Sequence, residues 1–174
     1  MSQHTLQHGF TTGRQLWLVV ALALGLTLST QAAAAKECAR ETPLPAEVHL
    51  IAPGSELPEG VARFAGIWSG EAVAERGGLC TTLVVEEVLA NGYARVIVSV
   101  GTSATLDEPL PWFLRATGRV VDGDLQVQLA LPTPGVPPPT LIYRFAGETL
   151  QVRQEGNDWW TPLTRLADES QVGS

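Results

Sequence analysis

The chain is poor in the residues from which most catalytic and metal centres are built. Beyond residue 35 it carries one histidine, His49, and two cysteines, Cys38 and Cys80. No serine sits in a G-x-S-x-G elbow. A Ser/His/Asp triad would therefore rest on His49 alone, inside a proline-rich stretch. Two cysteines and one histidine lack zinc spacing, and Asp107-Glu108 and Asn157-Asp158 read as turn residues. Glu86-Glu87 are neighbours on a strand candidate, so they are expected on opposite faces and not as a glycosidase pair. The reading is a non-enzyme with no catalytic residue, no metal and no cofactor.

Runs of lysine or arginine are also missing. Residues 1–35 carry one charged side chain, Arg14, and the remainder has 10 basic against 18 acidic residues, a net of about −8. Nucleic-acid backbones and anionic lipid both require a basic face, so neither is an expected partner. The charge serves solubility. The one long apolar run, Leu16 to Leu28, is about 13 residues, short of the roughly 20 that span a bilayer. With Arg14 before it and Ala32-Ala33-Ala34-Ala35 after it, residues 1–35 read as a secretory signal peptide cleaved near Ala35. The alternative is an uncleaved membrane anchor. No lipobox precedes Cys38, which argues against lipid attachment. The expected location is secreted or periplasmic, off the membrane after cleavage. There, one Cys38–Cys80 disulfide is the economical reading, worth roughly 4 kcal/mol in the chain-entropy model. Two unpaired thiols are the alternative.

What the chain has is strand and turn. Residues 36–63 are rich in proline and glutamate and read as an extended arm. Residues 64–166 form the domain proper, and 167–174 a tail. Eight strands are expected: 64–75, 79–89, 93–101, 112–121, 125–131, 140–146, 149–155 and 159–166. Several alternate strictly, such as Leu125, Val127, Leu129 and Leu131 with Gln126, Gln128 and Ala130 between them. No segment after residue 35 has a 3.6-residue period, which predicts little helix. Asn91-Gly92 and Asp122-Gly123 signal two-residue type I′ hairpins, and Gly147-Glu148 a third tight turn. In an up-and-down path those three turns share one end. The long connections Thr102–Pro111 and Pro132–Pro139 share the other. The expected fold is all-β, an eight-stranded antiparallel up-and-down barrel with one closed end and one loop-bearing end. The alternative is an open β-sandwich, favoured by Pro162 inside the last strand.

At Gly66-Ile67-Trp68 the first strand resembles the Gly-x-Trp opening of the lipocalins and the wider calycin group. The resemblance spans roughly residues 64–166. It implies that an arginine of the last strand, here Arg165, lies across Trp68 at the closed end and fastens the first strand to the last. Gly66, Trp68 and Arg165 are thus structural residues. Trp68-Ser69-Gly70 with Leu83-Val84-Val85-Glu86-Glu87 is also similar to an uncharacterised secreted bacterial domain sometimes found near α/β-hydrolases.

Two aromatic doublets, Trp112-Phe113 and Trp159-Trp160, fall at the loop-bearing end. With Tyr143 they are the candidate ligand-binding residues, able to line a pocket for an apolar or ring-containing ligand. Alternation predicts one ring inward and one outward in each doublet. The competing reading is that they plug an ordinary core. Arg95, Arg115, Arg119, Arg144 and Arg153 read as a solvated outer face. The alternative is a polar lumen for an anion. The expected function is non-catalytic binding of a small apolar ligand. The alternative partner is a protein, with the domain acting as an accessory module beside an enzyme such as a hydrolase.

Overall fold

The computed structural model describes residues 31–74, 77–101, 111–130 and 137–167. Most of the segment read as a signal peptide, the tail beyond 167 and the connections 102–110 and 131–136 lie outside the described residues. Eight strands follow in order: β1 (Gly66–Ala74), β2 (Gly77–Val88), β3 (Tyr93–Val100), β4 (Trp112–Val121), β5 (Asp124–Gln128), β6 (Thr140–Ala146), β7 (Thr149–Gln154) and β8 (Thr161–Leu166). Each pairs antiparallel with the next. β8 returns to β1 through Ile67↔Leu166, Trp68↔Arg165 and Ser69↔Thr164, closing a barrel. The open sandwich is not formed. Pro162 does not weaken this seam, because the β1–β8 ladder stops at Thr164 and Pro162 pairs only with Gln151 of β7. A Cβ at Gly70 would meet the Pro162 carbonyl oxygen at 2.5 Å, so glycine permits the close approach.

The three tight turns share one end. Asp122 and Gly123 both have positive φ, 52° and 85°, as a type I′ turn needs. Gly147 has φ 63° with no positive φ at Glu148, which fits a type II′ turn. Asn91-Gly92 departs from expectation. Only Gly92 has positive φ, and its N–H donates to the Leu89 carbonyl at 2.9 Å. The Asn91 side-chain oxygen accepts from the Tyr93 N–H at 3.1 Å. The connection is a longer turn ending on an αL glycine, because the Asn91 side chain supplies a local partner that the two-residue turn lacks.

Alternation sorts the side chains into two clusters. Inside the barrel, Leu83, Val85, Val96, Val98, Leu125, Val127, Tyr143, Leu150 and Leu163 form the lumen core. Outside, Ile67, Val84, Ile97 and Leu166 make a second, smaller cluster. Both faces of β1 and β2 are therefore apolar, and something must cover the outer one.

The N-terminal segment covers it; helix is sparse, as expected, but the start of the expected extended arm is helical. Residues 32–41 are helical (α1), and Glu59–Ala62 form one turn (α2) after Pro58. The alanine run has the highest helix propensity, and Ala35 and Ala39, four residues apart, bury one face of α1 on the outer cluster. The Cys38–Cys80 disulfide fastens α1 to β2. Beyond α1, residues 42–51 have no regular structure and run across the wall. The Thr42 and Thr82 hydroxyls bond at 2.7 Å, and the Ser99 hydroxyl donates to the Pro43 carbonyl. Arg115 Nη2 donates to the Glu47 carbonyl at 2.5 Å, and the Ile51 N–H to the Glu86 carbonyl at 2.8 Å.

That last contact exploits a β-bulge. The β2–β3 register slips between Val85 and Glu87, leaving Glu86 without a partner on β3. The slip also overturns the expectation that Glu86 and Glu87 point to opposite faces. Both now meet outer-wall arginines: Glu86 takes both oxygens to Arg115 Nη1 at 3.0 and 2.8 Å, and Glu87 pairs with Arg95 at 2.8 Å.

Candidate functional site

The strands differ in length, and that difference makes the loop-bearing end. β4 pairs with β3 along Trp112 to Arg119, but with β5 only from Gly118↔Val127 to Val121↔Asp124. After Val127 the β5 chain leaves β4 and stays with β6, where Gln128 faces Thr140 and the Leu129 N–H reaches the Pro139 carbonyl at 2.9 Å. Among the described residues, Trp112 to Thr117 thus have a ladder partner on one side only. On the inner face of that stretch, Trp112, Leu114 and Ala116 pack against the lumen core yet remain only partly buried. Leu141 of β6 and Val152 of β7 share this state. Five inward apolar side chains toward this end are therefore only partly buried.

The aromatic doublets flank it unequally. Trp112 turns inward against the core and Phe113 outward, 43 % exposed. Trp159 and Trp160 do not divide in this way. They precede β8, in an irregular segment where strand alternation does not apply. Trp159 is 58 % exposed. Trp160 lies among outer-wall groups, with the Arg144 and Arg153 guanidinium carbons 5.2 and 5.0 Å from its ring centroid. Arg144 is also held by Asp124 through bonds of 2.8 and 2.5 Å, and that hydrogen bond and charge raise its pKa. Arg153 Nη1 donates to the Asn157 carbonyl at 3.0 Å. The five arginines of the middle strands face outward. Arg95 and Arg115 meet glutamates, Arg119 lies 5.4 Å from the Tyr93 ring centroid, and Arg144 and Arg153 flank Trp160.

Tyr143 belongs to the lumen itself, 1 % exposed. It stands opposite Val152, which stands opposite Thr161, so one row crosses β6, β7 and β8 on the inner face. Thr161 is 7 % exposed. Among the described residues neither hydroxyl has a hydrogen-bond partner. An unsatisfied buried hydroxyl costs about 1–3 kcal/mol. Burial pushes the Tyr143 pKa well up, so its hydroxyl stays protonated and remains a donor.

The closed end is plugged. Gly66 has φ 119°, and a Cβ there would lie 3.1 Å from Arg165 Nη2. Arg165 sits with its guanidinium carbon 5.3 Å from the Trp68 ring centroid and donates to the Ala65 carbonyl at 2.7 Å. The Trp68 indole N–H donates to the Phe64 carbonyl at 2.9 Å. Sequence reasoning missed Phe145 and Arg63. Phe145 packs on Phe64 and Trp68 at centroid distances of 4.9 and 5.4 Å, and Arg63 caps its ring at 3.6 Å. Leu57 and Val61, from α2 and the residue leading into it, seal the same end. A signal existed for Phe145: it ends the inward series Leu141, Tyr143, Phe145 at the level of Trp68.

Among the described residues no three His, Cys, Asp or Glu side chains are grouped as metal ligands would be, and no helix is long and apolar enough to cross a membrane. Comparison with protein-family models, with curated proteins and with solved structures finds no match.

Proposed function

We propose that this protein is a non-catalytic binder of small apolar molecules, taken up at the loop-bearing end of a lipocalin-like barrel. One observation carries the reading. Trp112, Leu114 and Ala116 face the lumen but keep water contact, because β4 outruns β5. Trp112, Leu114 and Ala116 stand together on the inner face where β4 has no described neighbour on one side, which supports room for an occupant there. The plugged opposite end leaves one direction of approach. The disulfide fits a secreted or periplasmic protein, processed from a signal peptide. The test is native mass spectrometry of gently purified protein, followed by calorimetric titration of the delipidated protein with 2-ethylnaphthalene. Saturable binding that weakens several-fold in Trp112→Ala supports the proposal. A folded protein that carries no ligand and takes up none overturns it.

The second reading is an accessory module docking on a partner protein. It draws on the exposure of Phe113 and Trp159 at the same end. In that case Phe113→Ser and Trp159→Ser abolish association with the partner and leave 2-ethylnaphthalene binding untouched.

A further inference from the structure

We infer that the fold guards its own cross-link: the Glu41 carboxylate shields the Cys38–Cys80 disulfide from thiol exchange and so keeps the N-terminal cover locked on the barrel. This holds whatever the barrel binds. The disulfide ties α1 to β2. α1 in turn lays Ala35 and Ala39 over Ile67, Val84, Ile97 and Leu166. Breaking the bond releases the helix that covers this apolar face.

Glu41 Oε2 lies 3.4 Å from Cys80 Sγ. In a disulfide that sulfur carries no proton, so the contact is not a hydrogen bond. The position also runs against the helix, because an acidic side chain in the last turn of α1 opposes the dipole. Tertiary packing holds it there. A Cβ at Gly101 would meet the Glu41 carbonyl oxygen at 2.7 Å and the Cys80 Cβ at 3.4 Å, so the end of α1 is seated where β3 ends beside β2. The Thr42 N–H donates to the Cys38 carbonyl at 3.2 Å and fixes the helix end. Both cysteines are buried and Glu41 is exposed. Any nucleophile touching Cys80 Sγ is therefore within about 7 Å of the carboxylate, one van der Waals contact further out.

Exchange is a displacement at sulfur. A thiolate gives its electron pair to one cysteine sulfur, the Cys38–Cys80 bond breaks, and its pair leaves on the other sulfur, which then takes a proton. Attack at Cys80 brings the anionic nucleophile against the carboxylate. Attack at Cys38 expels Cys80 as a thiolate beside the same carboxylate. Both routes build a second negative charge next to Glu41, and both are slowed. With a dithiol reagent, its second thiol then displaces the remaining cysteine from the mixed disulfide. The reagent ends as a cyclic disulfide and both cysteines as thiols.

The test follows reduction of the folded, oxidised protein by dithiothreitol, with the freed thiols counted by alkylation with a polyethylene-glycol maleimide and gel shift. Glu41→Gln keeps the shape of the side chain and removes its charge. It should be reduced about fivefold faster than the wild type at low ionic strength, and the gap should narrow to within about twofold in about 0.5 M NaCl. Glu47→Gln removes the same charge elsewhere on the arm, where Glu47 faces His49, and should react as the wild type does. A Glu41→Gln rate equal to that of the wild type overturns the shield. So does a gain that salt leaves unchanged, which marks a loosened helix, and so does an equal gain in Glu47→Gln, which marks net charge alone.

Discussion

Arg165 shows how one side chain can do two things for a seam. It covers the Trp68 indole and satisfies the Ala65 carbonyl just before β1. Arg165 is itself exposed, so the cation–π contact is worth about 0.5–1 kcal/mol and the hydrogen bond about as much. Arg165→Met keeps the stem and removes both. It should cost about 1–2 kcal/mol in urea unfolding, with the m-value unchanged. Tyr143 makes a second residue-scale prediction. Its pKa is raised in the folded protein by burial. The unfolded chain therefore ionises first, and stability is full below about pH 10 and falls as pH rises above it. The alkaline loss in a pH series of unfolding curves should be smaller in Tyr143→Phe. The Gly66-x-Trp68 pattern and Arg165 were legible in the sequence through the resemblance of the first strand to the calycin opening, with the up-and-down path putting both at one end. Phe145 and Arg63 were not, since their contact joins α2 to the β6–β7 hairpin and has no local periodicity.

At the scale of elements, the segment 32–51 behaves as an outer lining of the barrel. It has a helix at one end, a disulfide near that end, and hydrogen bonds along the rest. Replacing Cys38 and Cys80 by serine removes the cross-link and should lower stability by about 2–4 kcal/mol. Limited proteolysis should then cut first between residues 42 and 58, where backbone bonds are few. β4 makes the opposite kind of prediction. Among the described residues, its stretch Trp112 to Thr117 has a ladder on one side, whereas β3 is paired on both. Amides of that stretch that point away from β3 should exchange with deuterium far faster than those of β3. The strand positions were readable from alternation and turn residues. The early end of β5 was not. Alternation continues through Leu129 and Leu131, but pairing needs a neighbour, and β5 follows β6 away from β4. The helical character of residues 32–41 was likewise hidden, because the alanines read equally well as a processing site.

For the whole molecule, closure is the decisive event. Every neighbouring strand pair but one is joined by a short or moderate connection. The exception, β1 with β8, joins residues about a hundred apart, as the Arg165–Ala65 bond shows. Closing so long a loop carries the largest entropy cost of the eight pairings. Deleting β8 leaves the lumen core without Leu163 and both β1 and β7 as open edges. That variant should lose cooperative unfolding and bind an apolar dye such as anilinonaphthalene sulfonate.

Local patterning by itself determined the strand count, the order of the hairpins, the sharing of the tight turns at one end, and which face of each strand is apolar. These follow from side-chain period and backbone φ preferences, which act within a few residues. Only the tertiary structure decided that the ring closes rather than opening into two sheets, that the N-terminal segment becomes the outer cover, that Glu86 and Glu87 share a face, and that among the described residues β4 pairs with β5 along only its last four positions. Each of these depends on a partner distant in sequence, and pairing strength there is set by geometry that composition does not carry.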